Sequence, residues 1–196
     1  MTGLRERKKA ETRRNIQQHA LRLFQTKGYE GTTVEEIAAA AGVSHMTFFR
    51  YFPNKHAVVE NDDYDPMIAE LIRSRPAGEE PLTAIRRALV GALQAMPAAE
   101  QTTVLARARL ILSEPALQAR QVESQRTTRE LFAAAIAHRE DALPAFERQV
   151  LAAAALSALA AAIDEWAAHN GAENLADLVD RAFAALSRPN ASPAAV

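Results

Sequence analysis

Apolar positions recur at helical spacing along most of the chain, and Ala-rich runs with few β-branched clusters favour an all-helical protein. The clearest example is the segment 32–55. There Thr33 can cap a short helix, and Glu36, three residues later, can complete a capping box. Gly42 then suits a left-handed turn, and Ser44 can cap a second helix. This pattern predicts two short helices joined by a turn.

The second helix of this pair has one apolar and one polar face. Phe48, Phe49 and Phe52 are spaced to fix it on a core, and Pro53 ends it. A short helix, a turn and a second helix with DNA-binding chemistry is the helix-turn-helix arrangement. We therefore predict a DNA-binding hairpin, and the alternative is a plain helical hairpin with solvated polar residues. The side chains suited to base edges and phosphates are His45, Met46, Thr47, Arg50 and Tyr51.

Further helices are predicted on both sides of this hairpin from apolar spacing and from Gly and Pro boundaries. A first helix over about residues 5–27 would pack across the hairpin and complete a three-helix head. A helix with Lys55 in its first turn follows, and Asp65 and Pro66 are expected as the N-cap and first residue of the next one. The prediction is an all-α fold of about nine helices. The later predicted helices cover residues 82–96, 101–112, 115–139, 143–169 and 175–186.

Charge is unevenly distributed along the chain, although the net value is only −1. Residues 1–60 hold ten Lys and Arg against six Glu, which gives +4, whereas the rest of the chain carries −5. A basic N-terminal third beside an acidic remainder suits a polyanion-binding head on a body that does not bind polyanions. The basic run over residues 5–14 is either a solvated helix start or an arm that reaches DNA, and both can hold.

Several other classes of protein are not indicated. The chain has no Cys, which excludes disulfides, thiol nucleophiles and Cys-based metal sites. We find no phosphate-binding Gly loop, no Ser nucleophile elbow and no His pair at metal-ligand spacing, so neither an enzyme nor a cofactor is expected. The N-terminus lacks the apolar run of a secretory signal, and the longest apolar stretch, residues 150–163, is too short to span a bilayer. We expect a soluble cytoplasmic protein without a membrane partner.

Residues 10–60 carry a signature that resembles the TetR family of bacterial transcriptional regulators. The matching segments are A-L-R-L-F at 20–24, K-G-Y-E-G-T-T-V-E-E-I-A at 27–38, A-G-V-S at 41–44 and T-F-F-R-Y-F-P-N-K at 47–55. The resemblance implies a helix-turn-helix DNA-binding domain over residues 1–60 and a helical ligand-binding and dimerisation domain over residues 61–196. It further implies a homodimeric repressor that binds a palindromic double-stranded DNA operator and is released by a small molecule.

The resemblance also implies roles for individual residues of the head. His45 and Met46 would meet base edges at the start of the recognition helix. Thr33 would cap the supporting helix and offer its backbone N–H to a phosphate. Phe49 stands where many relatives have a Tyr that reaches the DNA backbone, and Arg50 beside it can replace that contact. Phosphate contacts are further implied for Thr47, Tyr51 and Lys55. The complete predicted DNA-binding set is Thr33, Ser44, His45, Met46, Thr47, Arg50, Tyr51 and Lys55.

The two C-terminal helices are the predicted dimer interface. The first is apolar nearly all round, so most of its faces must be covered. Two such helices per chain would form a four-helix interface across a two-fold axis. The alternative is that these faces are buried within one chain. The residues assigned to the interface are Val150, Leu156, Leu159, Ile163, Leu175, Leu178, Val179, Phe183 and Leu186.

The helices between about residues 66 and 139 would enclose an apolar ligand pocket with a few polar groups. Arg107 and Arg109 are two positions apart on one helix, so at most one of them faces inward. An inward Arg would favour a ligand with a carboxylate or phosphate, and the alternative is that both lie on the surface. The candidate lining residues are Leu89, Leu93, Met96, Leu105, Arg107, Arg109, Arg126, Leu131 and Trp166.

A second functional hypothesis is a helical binding or interaction protein without sequence-specific DNA recognition. The basic head and the polar face of the recognition helix favour the regulator instead. The sequence identifies neither the operator nor the effector.

Overall fold

The computed structural model describes residues 2–60, 64–139 and 143–187, and within these ranges it contains ten α-helices and no strand. The predicted all-α class is confirmed, and one of the ten helices, α4, is a single turn. In chain order the helices are α1 Thr2–Lys27, α2 Val34–Ala40, α3 His45–Tyr51, α4 Ala57–Glu60, α5 Tyr64–Arg73, α6 Pro81–Gln94, α7 Ala98–Ser113, α8 Pro115–Ala137, α9 Ala145–Ala168 and α10 Leu175–Leu186.

Two helix starts differ from their predicted positions. The helix that follows α3, α4, begins at Ala57, two residues after Lys55. The Asn54 side chain accepts a hydrogen bond from the Ala57 N–H at 2.9 Å, so Lys55 lies in the capped turn that leads into α4. Helix α5 already includes Tyr64, so Asp65 and Pro66 lie in its first turn. Pro is tolerated there because the first N–H groups of a helix have no intrahelical acceptor.

The chain divides into two compact units. The first comprises Met1–Asp62 and Ala98–Ser124, and the second comprises Asp63–Pro97 and Gln125–Val196. The sequence predicts a single boundary after residue 60, between two consecutive domains. The grouping of α7 and the first part of α8 with the N-terminal head is not predicted from the sequence. It arises because apolar side chains of this segment pack on the core of the head.

The first unit is built around a core to which α1, α2 and α3 all contribute. Ile16 and Phe24 lie on the apolar face of α1 and are buried with Ile37 of α2 and Phe48 of α3. Leu117 of α8 is buried in the same core. Because α3 contributes large side chains to this core, its orientation in the head is fixed by packing.

In the second unit α10 packs against α9 and α6, and α5 packs against α6. Ile85 of α6 is fully buried there. The expectation that the apolar face of α10 pairs with a second chain is corrected, since this face is covered within one chain. The four predicted interface residues that are core residues instead are Leu175, Leu178, Val179 and Phe183.

Helix α9 has a buried and an exposed side. Ala152, Ala155 and Ala162 are buried, whereas Phe146 and Val150 are exposed. By length and composition this helix could cross a membrane, in contrast to the expectation from its shorter apolar stretch. A core helix of a soluble protein passes the same test, and α9 packs on α10 and has buried alanines. The helix therefore does not indicate a membrane protein.

A charged cluster fixes the loop between α5 and α6. Arg75 donates two hydrogen bonds to the Glu79 carboxylate, at 2.7 and 2.9 Å, and Arg87 donates another. The Glu79 side chain is only 9% exposed. The hydrogen bonds from Arg75 and then Arg87 outweigh the effect of burial and lower the pKa of Glu79 to about 2. Buried Arg139, just beyond α8, donates to the Pro76 carbonyl at 2.9 Å and holds the same loop.

Candidate nucleic-acid interface

Helix α2 is fixed at both ends by hydrogen bonds that the sequence predicts. At its start the Thr33 hydroxyl accepts from the Glu36 N–H at 3.2 Å, and the Glu36 carboxylate accepts from the Thr33 N–H at 3.0 Å. At its end Gly42 has a φ of 66°. The N–H groups of Gly42 and Val43 donate to carbonyls of the last turn of α2 at 3.1 and 3.0 Å. This left-handed glycine directs the chain into α3.

The capping box changes the expected role of Thr33. The backbone N–H that the sequence analysis assigns to a phosphate already donates to Glu36. The same carboxylate binds Lys27, whose hydrogen bond is the largest of the effects that lower the pKa of Glu36. A phosphate would have to displace a carboxylate that is held by a lysine. The structural role of Thr33 at the start of α2 is therefore the one that its contacts support.

Helix α3 is fixed by Ser44 at its start and by two aromatic rings beneath it. The Ser44 hydroxyl accepts from the Thr47 N–H at 3.1 Å and shares a hydrogen bond with the Thr47 hydroxyl at 2.9 Å. Phe48 and Phe52 are fully buried, with ring centroids 5.8 Å apart. Ser44 and Thr47, which are both predicted to contact DNA, therefore also hydrogen-bond each other.

The opposite face of α3 is exposed and carries the predicted base-reading residues. Met46 is 78% exposed, and His45 and Arg50 also lie on the surface. Phe49 is 40% exposed, although the sequence predicts it as a core residue. Its ring stands edge-on to Phe48 and to His45, with centroids 5.4 and 4.6 Å apart. Phe49 therefore connects the core of the head to its exposed face.

His45 also contacts a carboxylate of α2. Its Nε2 lies 3.3 Å from the Glu35 Oε1, and both side chains are largely exposed. The pKa of Glu35 is lowered, first by a hydrogen bond to its own backbone, then by the Thr33 hydroxyl, and to a smaller extent by His45. Nothing in the sequence singles out Glu35, because an acidic residue in the first turn of a helix is common for reasons of the helix dipole alone.

Arg50 and Tyr51 lie next to each other at the end of α3. Tyr51 is half-buried, and its hydroxyl has no hydrogen-bond partner within the part of the chain that the structure describes. The Arg50 guanidinium lies 5.4 Å from the centroid of the Tyr51 ring, a cation–π arrangement. Both polar groups are accessible for the contacts that the sequence assigns to them.

Lys55 is engaged within the head. Its Nζ donates to the carbonyls of Tyr29 and Thr32 at 2.8 and 3.1 Å, and it lies 4.4 Å from the centroid of the Tyr29 ring. The Tyr29 hydroxyl in turn hydrogen-bonds the His56 Nδ1. Two of the three N–H groups of the ammonium thus hold the loop between α1 and α2. A phosphate contact by Lys55 would use the third.

Three polar side chains of α1 fix the other helices of the head, and none of them is predicted to do so from the sequence. Asn15, Gln17 and Arg13 donate to backbone carbonyls at the end of α2, within α4 and at the end of α3, at 2.8, 3.0 and 3.2 Å. The Arg13 guanidinium also lies 4.5 Å from the centroid of the buried Phe52 ring. These residues could have been identified from their position close to Ile16. Ile16 belongs to the apolar stripe of α1, which faces the hairpin, and is buried.

The basic run at the N-terminus is part of α1, which is helical from Thr2. The side chains of Arg5, Arg7, Lys8 and Lys9 are exposed. Farther along the helix, Arg14 lies 3.6 Å from Glu100 of α7. The structure therefore shows a solvated helix start, and contact of this segment with DNA stays a prediction.

The predicted pocket residues are divided between the two units. In the first unit Leu105 and Arg107 are half-buried, whereas Arg109 is exposed, so Arg107 is the less exposed of the two arginines. In the second unit Arg126 pairs with Glu130 on the surface at 3.2 Å. Among the described residues, no group of three or more His, Asp or Glu side chains could hold a metal ion. The other predicted pocket residues of the second unit are Leu89 and Trp166, which are buried, and Leu93, Met96 and Leu131, which are half-buried.

Comparison with protein families gives a match for the head and another for the body. Residues 16–61 match the family described as bacterial regulatory proteins, tetR family. Residues 79–191, more than half of the chain, match the family described as the MftR C-terminal domain.

Individual relatives agree with these matches. The chain is 44% identical over 94 residues to the transcriptional regulator TcmR of Streptomyces glaucescens, covering 45% of this chain and 42% of TcmR, so it spans less than half the length of that relative. It is 29% identical over 164 residues to the transcriptional regulator MftR of Mycobacterium tuberculosis, covering 82% of each chain. The repressor FadR of Thermus thermophilus, solved in complex with lauroyl-CoA, is 25% identical, with a TM-score of 0.56 over 94% of this chain and 99% of FadR. The chain belongs to the tetR family of bacterial regulatory proteins, helix-turn-helix regulators of transcription.

Proposed function

We propose that the protein is a cytoplasmic repressor that binds a palindromic double-stranded operator as a homodimer and is released by a small-molecule effector. The observation that carries this proposal is helix α3, which is fixed from beneath by Phe48 and Phe52. His45 and Met46 stand exposed at its N-terminal end. A helix held in this way can enter the major groove with its first residues at the base edges.

The proposed DNA contacts fall into two chemical groups. His45 and Met46 contact base edges, the imidazole by a hydrogen bond and the thioether by apolar contact. Thr47, Tyr51 and the third N–H of Lys55 bind phosphates, which positions the head without reading sequence. Arg50 is exposed beside Tyr51 and completes the basic surface of the hairpin.

Substitutions in the two groups test this division. Removal of the phenolic hydroxyl in Tyr51→Phe is expected to weaken binding by a similar factor for all sequences, about threefold to tenfold for one hydrogen bond. His45→Ala is expected to change the preference among operator variants. Titration of wild-type and variant proteins with a panel of duplexes measures both. Lys55→Ala is a poorer probe, because Lys55 also holds the loop between α1 and α2.

Equal losses across the whole panel for His45→Ala would contradict its role as a base reader. Binding that shows neither salt dependence nor sequence preference for the wild-type protein would instead favour a helical interaction protein without operator recognition.

The dimer proposal rests on the predicted interface residues of α9 and α10 that are not buried. Val150 and Leu186 are exposed, and Leu156, Leu159 and Ile163 are half-buried, so these five of the predicted interface residues remain available to a second chain. Two heads related by a two-fold axis would match a palindromic operator.

Val150→Asp places a charge at an exposed apolar position of α9 and is expected to shift the mass measured by light scattering at micromolar concentration from dimer toward monomer. Ala77→Asp, at an exposed loop position of the same unit, is the matched control and should leave the mass unchanged. A wild-type protein that is strictly monomeric under these conditions would contradict the dimer.

For the effector we infer an acyl-CoA, on the basis of the lauroyl-CoA bound by FadR of Thermus thermophilus. Two features of the second unit support this class of ligand. Met67 and Leu71, one turn apart on α5, are exposed apolar side chains. The Nε of Arg129 on α8 is buried and has no hydrogen-bond partner among the described residues, so it is a donor that an anionic group could satisfy.

Addition of lauroyl-CoA to the preformed protein–DNA complex tests the effector class. Release of DNA by lauroyl-CoA, but by neither CoA nor laurate alone, is the expected result. If lauroyl-CoA leaves the complex intact, the effector belongs to another class, and the DNA-binding role is unaffected.

A further inference from the structure

We propose that Glu35 of α2 determines base specificity by fixing the tautomer and orientation of His45; this inference rests on the proposed role of His45 as a base reader. Two groups lie close to the imidazole. Its Nε2 lies 3.3 Å from the Glu35 Oε1, and its ring stands edge-on to Phe49 with the centroids 4.6 Å apart. Because Phe49 in turn packs edge-on against the fully buried Phe48, this arrangement is anchored to the core of the head.

The carboxylate selects one tautomer of the neutral ring. An ionised carboxylate accepts hydrogen bonds but cannot donate one, so the imidazole nitrogen that faces it carries the proton. Hydrogen bonds to its own backbone and to the Thr33 hydroxyl lower the pKa of Glu35, which favours the ionised carboxylate. The other nitrogen, Nδ1, is then a bare acceptor. Within the described part of the chain, Nδ1 of His45 makes no hydrogen bond, so it is available to a base.

An acceptor in the major groove selects for bases that present a donor. Adenine offers its N6 amino group and cytosine its N4 amino group, whereas guanine offers only the N7 and O6 acceptors at this edge. The neutral His45 therefore reads adenine or cytosine and disfavours guanine. A histidine without the carboxylate would carry a weaker bias, since either tautomer could form.

A protonated imidazole would lose this selection against guanine, because both ring nitrogens then donate and Nδ1 can donate to the guanine acceptors. Few charged groups on the elements around α3 could compete with Glu35 for the ring. Glu36 of α2 is bound to Lys27 of α1, and Arg13 of α1 lies over the Phe52 ring at the other end of α3. Lys55, after α3, is bound to the loop between α1 and α2, and Arg50 of α3 itself lies beside Tyr51.

A role for Glu35 that is only structural predicts a different result. Loss of a negative charge from the DNA-facing surface would strengthen binding to every sequence by a similar factor. Loss of a favourable charge at the start of α2 would lower the stability of the head. Neither effect changes which base is preferred at one position. Base preference is therefore the quantity that separates a positioning role from a structural one.

The experiment uses the full-length protein and an operator recovered by selection. The position read by His45 is the one at which His45→Ala abolishes preference among the four bases. At about pH 8.5, where histidines are ordinarily neutral, the wild-type protein should bind adenine or cytosine there about fivefold to tenfold more tightly than guanine. Replacement of adenine by purine, or of cytosine by 2-pyrimidinone, removes only the amino group and should cost the same factor. At about pH 5.5 the discrimination against guanine should disappear.

Glu35→Ala should bring adenine, cytosine and guanine to within about twofold of one another at this position. The control is Glu30→Ala, which removes the same charge from an exposed site in the loop between α1 and α2 and should leave the preference as in the wild type. If Glu35→Ala does not fold, Glu35→Gln is used instead. The amide of Gln can donate to the ring as well as accept from it, so it does not select one tautomer and should relax the same preference.

Three outcomes would overturn the inference while the regulator remains. These are a wild-type preference for guanine at about pH 8.5, an unchanged preference in the folded Glu35 variant, and no operator position that depends on His45. Absence of any sequence preference in the wild-type protein would instead overturn the proposed function itself.

Discussion

At the scale of the single residue, the exposure of Met46 is the clearest indication of a contact with a binding partner. It is apolar, it lies at the start of the recognition helix, and it is 78% exposed. Its neighbour Phe49 is also partly exposed, so the two form a small apolar surface beside the polar His45. In the major groove, the apolar group available to such a surface is the C5-methyl group of thymine.

Replacement of thymine by deoxyuridine, one position at a time, tests this contact because it removes only the methyl group. We expect one thymine per half-site at which the change weakens binding about threefold to fivefold, the value of one buried methyl group. Substitution of other thymines is the control. In the Met46→Ala variant, replacement of that thymine by deoxyuridine should no longer weaken binding. Equal sensitivity of all thymines, or of none, would exclude a methyl contact by Met46.

Whether the role of a residue can be predicted from the sequence depends on how far along the chain its contact partners lie. The roles of Thr33, Glu36 and Ser44 as capping residues are predicted because each acts within three positions along the chain. The pairing of Glu35 with His45 and the use of Lys55 to hold Tyr29 and Thr32 are not predicted, because they depend on how separate elements meet in space.

At the scale of the element, the turn between α2 and α3 sets the direction of the recognition helix. Gly42 adopts a φ of 66°, and a Cβ at this position would meet no atom within 4 Å. The requirement for Gly is therefore conformational rather than steric. Gly91, in the interior of α6, likewise has free space around a Cβ but has no such backbone requirement.

The two glycines should respond oppositely to the same substitution. Gly42→Ala is expected to destabilise the protein by about 1 kcal/mol, since the left-handed conformation is unfavourable for Ala. Gly91→Ala is expected to stabilise it by about 0.5–1 kcal/mol, because Ala is the better helix former. Urea unfolding followed by circular dichroism measures both. A neutral or stabilising effect of Gly42→Ala would show that the turn does not require the left-handed glycine.

The bounds of the helices are predicted better than the side of each helix that is buried. Caps, glycines and prolines are local signals, so the described helices begin and end near their predicted positions. Which face meets which neighbour is a property of the packed molecule. For this reason Phe49 is more exposed than its spacing suggests, and the apolar face of α10 is buried within one chain instead of being available for pairing.

At the scale of the whole molecule, the two compact units have different means of stabilisation. The first unit is held by an apolar core and by α1 side chains that donate to helix ends. The second also contains the charged cluster in which Glu79 binds Arg75 and Arg87. The assignment of α7 to the first unit could not be derived from the sequence, because it depends on contacts between segments about 80 residues apart.

The Glu79 cluster should make the stability of the protein sensitive to acid. Its carboxyl has a pKa of about 2 in the folded protein, against an ordinary value of 4.5. The stabilisation is therefore present above about pH 4.5 and is lost as the pH falls toward 2. Glu79→Gln should destabilise the protein by about 2–3 kcal/mol at neutral pH, and this difference should shrink at about pH 3.

Glu130→Gln is the matched control, since it removes a carboxylate from the surface pair with Arg126 and should change stability by less than about 0.5 kcal/mol. Denaturant unfolding of the three proteins at both pH values provides the comparison. A Glu79→Gln effect that is the same at both pH values would contradict the assigned linkage.

Selection of bound duplexes from a random pool at near-physiological salt tests whether this molecule recognises a DNA sequence as a dimer. We expect recovery of a palindrome whose half-sites lie about one helical turn, or slightly more, apart, since each head presents one α3 helix to one major groove. Enrichment of a single unrepeated half-site would contradict the dimeric mode of binding. Recovery of a pool without any enriched sequence would contradict the account of the head as a sequence-specific reader.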